Sequence, residues 1–127
     1  MEILISIKHK YAESIYKKNK LYELRKVTPK IPIGTKCYIY EPLPEGKITG
    51  YFLYAGVIIM DKYKFWAKYH DKLGVTLYEY LKYYDGHQNV HAWKIQWATR
   101  FFTPYTAKEI GQYPPQSYII ISKLKSS

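Results

Sequence analysis

Lys20, Glu23 and Arg25 stand close together in the stretch Asn-Lys-Leu-Tyr-Glu-Leu-Arg, residues 19 to 25, where a helical pattern gives way to an extended one. Extended side chains alternate faces, so Tyr22 and Leu24 point one way and Glu23 and Arg25 the other, with Lys20 at the bend before them. Two cations beside a carboxylate suit an anionic, nitrogen-rich guest. Lys20 and Arg25 can neutralise a phosphate or hydrogen-bond a base edge, while Glu23 accepts from an exocyclic amino group or holds Arg25 in place. The same three charges would also serve as a structural ion-pair network tying strand to helix. The readings part on whether the trio lines an open cavity or lies sealed under other side chains.

Further candidates surround this turn. Lys8 and His9 end the first extended segment close to the start of the first helix. Tyr40, Trp66, Tyr84 and Trp93 are candidate stacking surfaces, and Gln116 and Ser117, after Pro114 and Pro115, would offer donors and acceptors from a stiff loop. Sixteen tyrosines and three tryptophans are more rings than one binding site needs, so several must be core. Trp66 and Trp93, on a short helix and an alternating strand, suit the core as well as the site. No metal and no other cofactor is expected. Cys37 is the sole cysteine, and His9, His70, His87 and His91 show no recognisable ligand spacing; His87 and His91 near Asp85 read as loop residues.

Twenty Lys and Arg against ten Asp and Glu leave a net charge of +10, and 18 of the cations are lysines scattered along the chain. Such a field attracts polyanions, although a Lys-, Tyr- and Ile-rich composition also follows from an AT-rich genome. The segment Met-Glu-Ile-Leu-Ile-Ser-Ile-Lys meets charge too soon for a signal peptide. No apolar run approaches the roughly 20 residues of a spanning helix, so the expectation is a cytoplasmic protein with no membrane contact. At 127 residues and 47% hydrophobic content, the chain should form one domain over 1–127 with a real core.

The elements that must position the trio follow from periodicity. Glu2 to Lys8 alternates Ile3, Ile5 and Ile7 against Leu4 and Ser6, a strand with a buried isoleucine face. Tyr11 to Lys18 has helical spacing, with Asn19 suited to a left-handed terminator. Tyr22 to Lys26 is a second strand, Thr28 to Gly34 an edge loop broken by prolines, and Thr35 to Tyr40 a third strand. Lys47 to Met60 is a long strand in which Gly50 and Gly56 predict a bulge or sharp bend. Helices are predicted over Tyr63–Tyr69 and over Leu77–Tyr84, the latter with Thr76 and Glu79 as a capping box and Gly86 as its stop. Val90 to Phe102 is a strand with Trp93, Ile95 and Trp97 on one face, closed by Pro104. A short turn at Thr106–Ile110, a strand over Tyr118–Ser122 and a solvated lysine-bearing tail complete the chain.

This order resembles the ASCH domain of the PUA-like superfamily. The matching pieces are Ile5-Ser6-Ile7-Lys8 with Tyr11-Ala12, Lys20-Leu21-Tyr22-Glu23-Leu24-Arg25, Ile39-Tyr40-Glu41-Pro42 and Ile48-Thr49-Gly50. Gly74-Val75-Thr76, entering a helix that ends in Tyr83-Tyr84, and Pro114-Pro115-Gln116-Ser117-Tyr118 complete them. The resemblance implies an α+β fold: a small mixed β-barrel with a helix after the first strand, a helical insertion between later strands, and a cleft beside the first helix.

Family activity is diverse, embracing RNA binding, coactivator modules, hydrolysis of an acetyl amide on modified cytidine, and a proposed ribonuclease activity. In the amidohydrolase members a lysine, a threonine three residues later and a carboxylate near the second helical insertion carry the chemistry. Lys20 matches the lysine, but Glu23 stands in the threonine's place and Leu73 in the carboxylate's, unless Asp71 or Glu79 is brought in by a shifted insertion. The reading favoured is therefore a binding module for single-stranded RNA, a nucleotide or a modified base. The alternative is a hydrolase of a modified nucleoside or of RNA using Lys20 and Glu23. A protein-binding accessory role would be marked by an exposed aromatic patch far from Lys20.

Overall fold

In a computed structural model the described residues are 1–106, 108–110 and 118–121. Their order is β1 (Glu2–Ser6), α1 (His9–Tyr16), β2 (Tyr22–Arg25), β3 (Lys36–Glu41), β4 (Lys47–Asp61), α2 (Lys62–Tyr69), α3 (Leu77–Tyr83), β5 (Asn89–Thr106) and β6 (Tyr118–Ile121). Single 3₁₀ turns cover His70–Lys72 and Lys108–Ile110. One six-stranded sheet runs β2-β5-β4-β3-β1-β6, with β1 parallel to β3 and every other pair antiparallel. This is the mixed α+β arrangement expected. Among the described residues no ladder joins β2 to β6, so the sheet as described is open and its closure into a barrel is not part of it.

Bulges shape the two long strands. Tyr54 pairs with Ile95 and Val57 with Trp93, which leaves Ala55 and Gly56 opposite Lys94 alone, with Gly56 at φ +109. Gly50 is required by crowding: a Cβ there would fall 2.2 Å from the Thr99 carbonyl oxygen and 2.6 Å from the Tyr16 hydroxyl. Each bulge bends its strand and increases the twist. Both faces of the curved sheet are covered. Ile3, Ile5, Ile39, Phe52 and Trp93 pack with Ala12 and Ile15 of α1. Leu4, Tyr38, Tyr40, Ile48 and Ile121 fill the opposite face. Phe65 of α2, Tyr80 and Tyr84 of the α3 end, and Leu73 close over Val90 and Ala92.

Several expectations shift. Leu4 is as buried as its isoleucine neighbours, because β1 carries a core on both faces. The left-handed residue ending α1 is Lys18, φ +66, and not Asn19. Pro104 does not close β5, which continues to Thr106: Gly50 pairs with Arg100 and Ile48 with Tyr105, so Pro104 lies in an irregular stretch where a missing amide hydrogen costs no ladder bond. Trp97 does not share a buried face with Trp93. It lies in a further bulge of β5, and the residue is 71% exposed. The Thr76–Glu79 capping box forms in both directions, at 3.1 and 3.0 Å. Asp61 caps α2 by accepting from the amides of Tyr63 and Lys64.

Candidate functional site

The approach of the Gly74 loop to the end of α1 sets the position of Lys20. Past Tyr16 the chain turns back, and the amides of Asn19 and Lys20 both donate to the Ser14 carbonyl, at 2.9 and 3.1 Å. The amide of Leu21 donates to the Lys72 carbonyl at 2.8 Å, and Lys20 Nζ donates to the Leu73 carbonyl at 2.9 Å. Gly74 makes this approach feasible, since it is left-handed at φ +63 and a Cβ on it would sit 3.0 Å from Lys20 Cβ. Lys20 is thereby only 2% exposed, with its ammonium 5.3 Å from the centre of the Tyr11 ring. Burial pushes its pKa below the ordinary lysine value, against the opposing charge of Glu23.

Strand β2 then presents Glu23 and Arg25 on one face. Arg25 Nε donates to Glu23 Oε2 at 2.8 Å, and Arg25 Nη2 donates to the Ser6 carbonyl at 3.0 Å, which ties β2 to the end of β1. Tyr84 donates its hydroxyl to the Arg25 carbonyl at 2.9 Å, and the guanidinium lies 5.8 Å from the Trp93 ring. A second carboxylate arrives from α3. Glu79 accepts from the Tyr11 hydroxyl at 2.7 Å and from the Lys10 ammonium. The Lys10 ammonium, then the Thr76 amide and the Tyr11 hydroxyl, pull the Glu79 carboxyl down to about 2. Burial first, and the Glu79 carboxylate second, raise Tyr11 to about 12, so it remains a hydrogen donor at neutral pH.

These groups wall one cavity of about 370 Å³ between α1, β2 and α3. Lys8, Tyr11, Lys20, Glu23, Arg25 and Glu79 supply its charge and hydrogen bonds, and Ile7, Leu24, Val75, Tyr80 and Tyr83 its apolar walls. Few polar groups converging in a concave, partly apolar hollow is the usual make-up of a small-ligand site.

The backbone carrying this cavity matches solved structures over nearly its whole length. The ASCH protein of Zymomonas mobilis superposes with a TM-score of 0.88 at 20% identity, over 96% of this chain and 88% of that one. A variant of the same protein, with phenylalanine replacing one tyrosine, superposes with a TM-score of 0.88 at 19% identity, over 98% and 93%. The chain has the ASCH fold. No family model matches the sequence. In sequence it is 32% identical over 91 residues to the ATP synthase subunit alpha of Ureaplasma parvum, which is 71% of this chain and 11% of that relative. This chain thus spans only a small part of that relative's length.

Within the ASCH fold the expected site residues fall into three groups. Lys20, Glu23, Arg25 and Lys8 line the cavity together. His9, Tyr40, Trp66, Tyr84 and Trp93 do not. His9 turns to Glu41, its Nδ1 2.5 Å from Oε1, and this bond raises its pKa above the ordinary histidine value. Tyr40 is buried on the far face of the sheet, where parity along β3 sends it away from Ile39. Trp66 packs on Tyr80, ring centres 4.9 Å apart, and Tyr84 is fully buried. Trp93 is fully buried behind Arg25, its indole N–H donating to the Val27 carbonyl at 3.3 Å. Gln116 and Ser117 lie outside the described residues.

The cavity also holds groups that sequence reasoning did not place there. Tyr11 read only as an apolar helix position. Glu79 read as a cap, although its second oxygen was left for another partner, which is the signal that could have pointed to it. Leu73, the residue at the carboxylate's place, meets Lys20 through its backbone carbonyl. Glu79 lines the cavity, whereas Asp71 belongs to a shallow hollow outside it. His9, Glu41 and Glu45 bring three possible ligand atoms within 4.8 Å of one another, but Glu41 already accepts from Thr49 Oγ1 at 2.6 Å as well as meeting His9. The group reads as a hydrogen-bonded brace at the start of α1.

Proposed function

We propose that this ASCH-fold chain is a binding module for single-stranded RNA, reading one base, plain or modified, in the cavity walled by Lys20, Glu23 and Arg25. The observation that carries the reading is the convergence there of three cations, Lys8, Lys20 and Arg25, and two carboxylates in about 370 Å³, with tyrosine and aliphatic walls. A planar heterocycle needs both donors and acceptors around its edge. Lys20 and Arg25 donate and Glu23 and Glu79 accept, while Tyr83 and Leu24 offer apolar surface for its faces. Lys8 at the rim and the net charge of +10 supply the attraction for phosphate. In a salt titration with a labelled eight-nucleotide single-stranded RNA, affinity should fall steeply as salt rises. No binding at low ionic strength would overturn the reading.

A hydrolase of a modified nucleoside or of RNA is favoured by one observation, the buried Lys20 beside Glu23 and near Glu79. Its lowered pKa increases the share of neutral, nucleophilic amine. Mass spectrometry of acetylated cytidine and short RNAs incubated with pure protein separates the two. Unchanged substrates, with and without divalent metal, would retire the enzyme.

A further inference from the structure

Trp97 holds a backbone conformation that side chains rarely adopt, φ +55, while the residue is 71% exposed. The strand pairing explains how it gets there. Tyr51 pairs with Thr99 and Leu53 with Gln96, so Trp97 and Ala98 together stand opposite Phe52 in a bulge of β5. A left-handed residue opening a bulge is ordinarily glycine. A bulky ring held there gains neither a relaxed backbone nor burial, and strain of this kind collects at functional positions.

The surroundings say what such a ring would meet. Beside it is a second cavity of about 380 Å³, with Ile15, Leu21 and Ile95 as apolar floor and the Gln96 amide on its wall. Lys18, the other left-handed side chain of the described residues, fixes this corner by donating from Nζ to the Ala98 carbonyl at 2.6 Å. Lys20 lines this cavity as well as the first. A shallow hollow adjoins the first cavity, sharing Val75 and Glu79 with it, and takes in Asn19, the chain neighbour of Lys18 and Lys20.

We propose that Trp97 is a stacking platform for a second base of single-stranded RNA, whose nearby base occupies the first cavity. This rests on the reading proposed above and extends it from one base to a strand. An indole face accepts any base by stacking, the Gln96 amide can hydrogen-bond a base edge, and Lys18 sets a positive charge where the connecting phosphates pass. A duplex would not fit, because its base faces are already stacked on one another.

The test compares wild type with Trp97→Asn and Trp97→Phe against fluorescently labelled oligouridylate and oligoadenylate octamers, and against UMP and AMP by calorimetry. Asparagine tolerates the left-handed backbone, so Trp97→Asn should melt no lower than wild type. It should bind the octamers about 5- to 100-fold more weakly, by a factor that changes little with salt, and bind the mononucleotides as wild type does. Trp97→Phe should keep most of the octamer affinity. Octamer binding by Trp97→Asn equal to wild type would overturn the platform and leave the one-base reading standing. Failure of wild type to bind octamers and mononucleotides alike would bring down both.

Discussion

Replacing Glu23 with glutamine removes a carboxylate that Arg25 Nε meets at 2.8 Å and leaves shape and size almost unchanged. The side chains of the pair are 9% and 14% exposed, so neither charge is well hydrated, and Lys20 stands beside them 2% exposed. Breaking a buried pair by removing one partner costs about 3–5 kcal/mol. The cavity admits water and Glu79 remains as a second anion, so the low end, about 3 kcal/mol, applies. For 127 residues, with an unfolding entropy of about 2.1 cal/mol/K per residue, each kcal/mol moves the melting temperature about 4 °C. Glu23→Gln should therefore melt about 11 °C below wild type in calorimetry at pH 7. The control is Glu13→Gln, which breaks the more exposed pair with Arg100, 26% and 50% exposed, and should lose less than about 4 °C. Equal shifts in the two variants would refute the argument, because they would mean that the Glu23 carboxylate is as well solvated as a surface one. In the base-binding function proposed above, the same variant turns one of two anionic acceptors into a neutral amide, so a bound nucleotide should dissociate faster.

Two further outcomes follow from contacts elsewhere in the fold. His9 has its pKa raised by Glu41, so its ion pair contributes stability that is fully present below about pH 6.5, the unfolded value, and is lost as pH rises through the higher folded value. The melting-temperature difference between wild type and His9→Gln should accordingly shrink from pH 6 to pH 9, and a gap that widens would contradict it. Gly50→Ala should give little folded protein, since its Cβ would meet backbone oxygen at 2.2 Å, while Gly34→Ala, with nothing within 4 Å, should cost only the strain of its φ of +95. Two-dimensional NMR spectra of both variants check the contrast, and a well-folded Gly50→Ala would show that β4 and β5 can separate there.

Much of the fold was legible because its signals are local. Isoleucine alternation placed β1, the Thr76–Glu79 spacing placed the start of α3, and Gly50 and Gly56 marked where β4 must bend. Glu23 and Arg25 could be put on one face because two residues along a strand is one full side-chain period. Trp93 and Tyr84 were harder, since an aromatic on an amphipathic element has the same pattern whether it faces core or cleft, and here both face core.

By itself, then, the sequence determined most of the elements and the common face of Glu23 and Arg25, all consequences of spacing within a few residues. Only the tertiary structure brought Tyr11 and Glu79 to Lys20, because Gly74 lets the loop before α3 close on the end of α1. Only the sheet register exposed Trp97. One extra residue in β5 reverses which face every later side chain takes, and the need for that residue arises from pairing with β4, a partner that the local pattern around Trp97 does not contain.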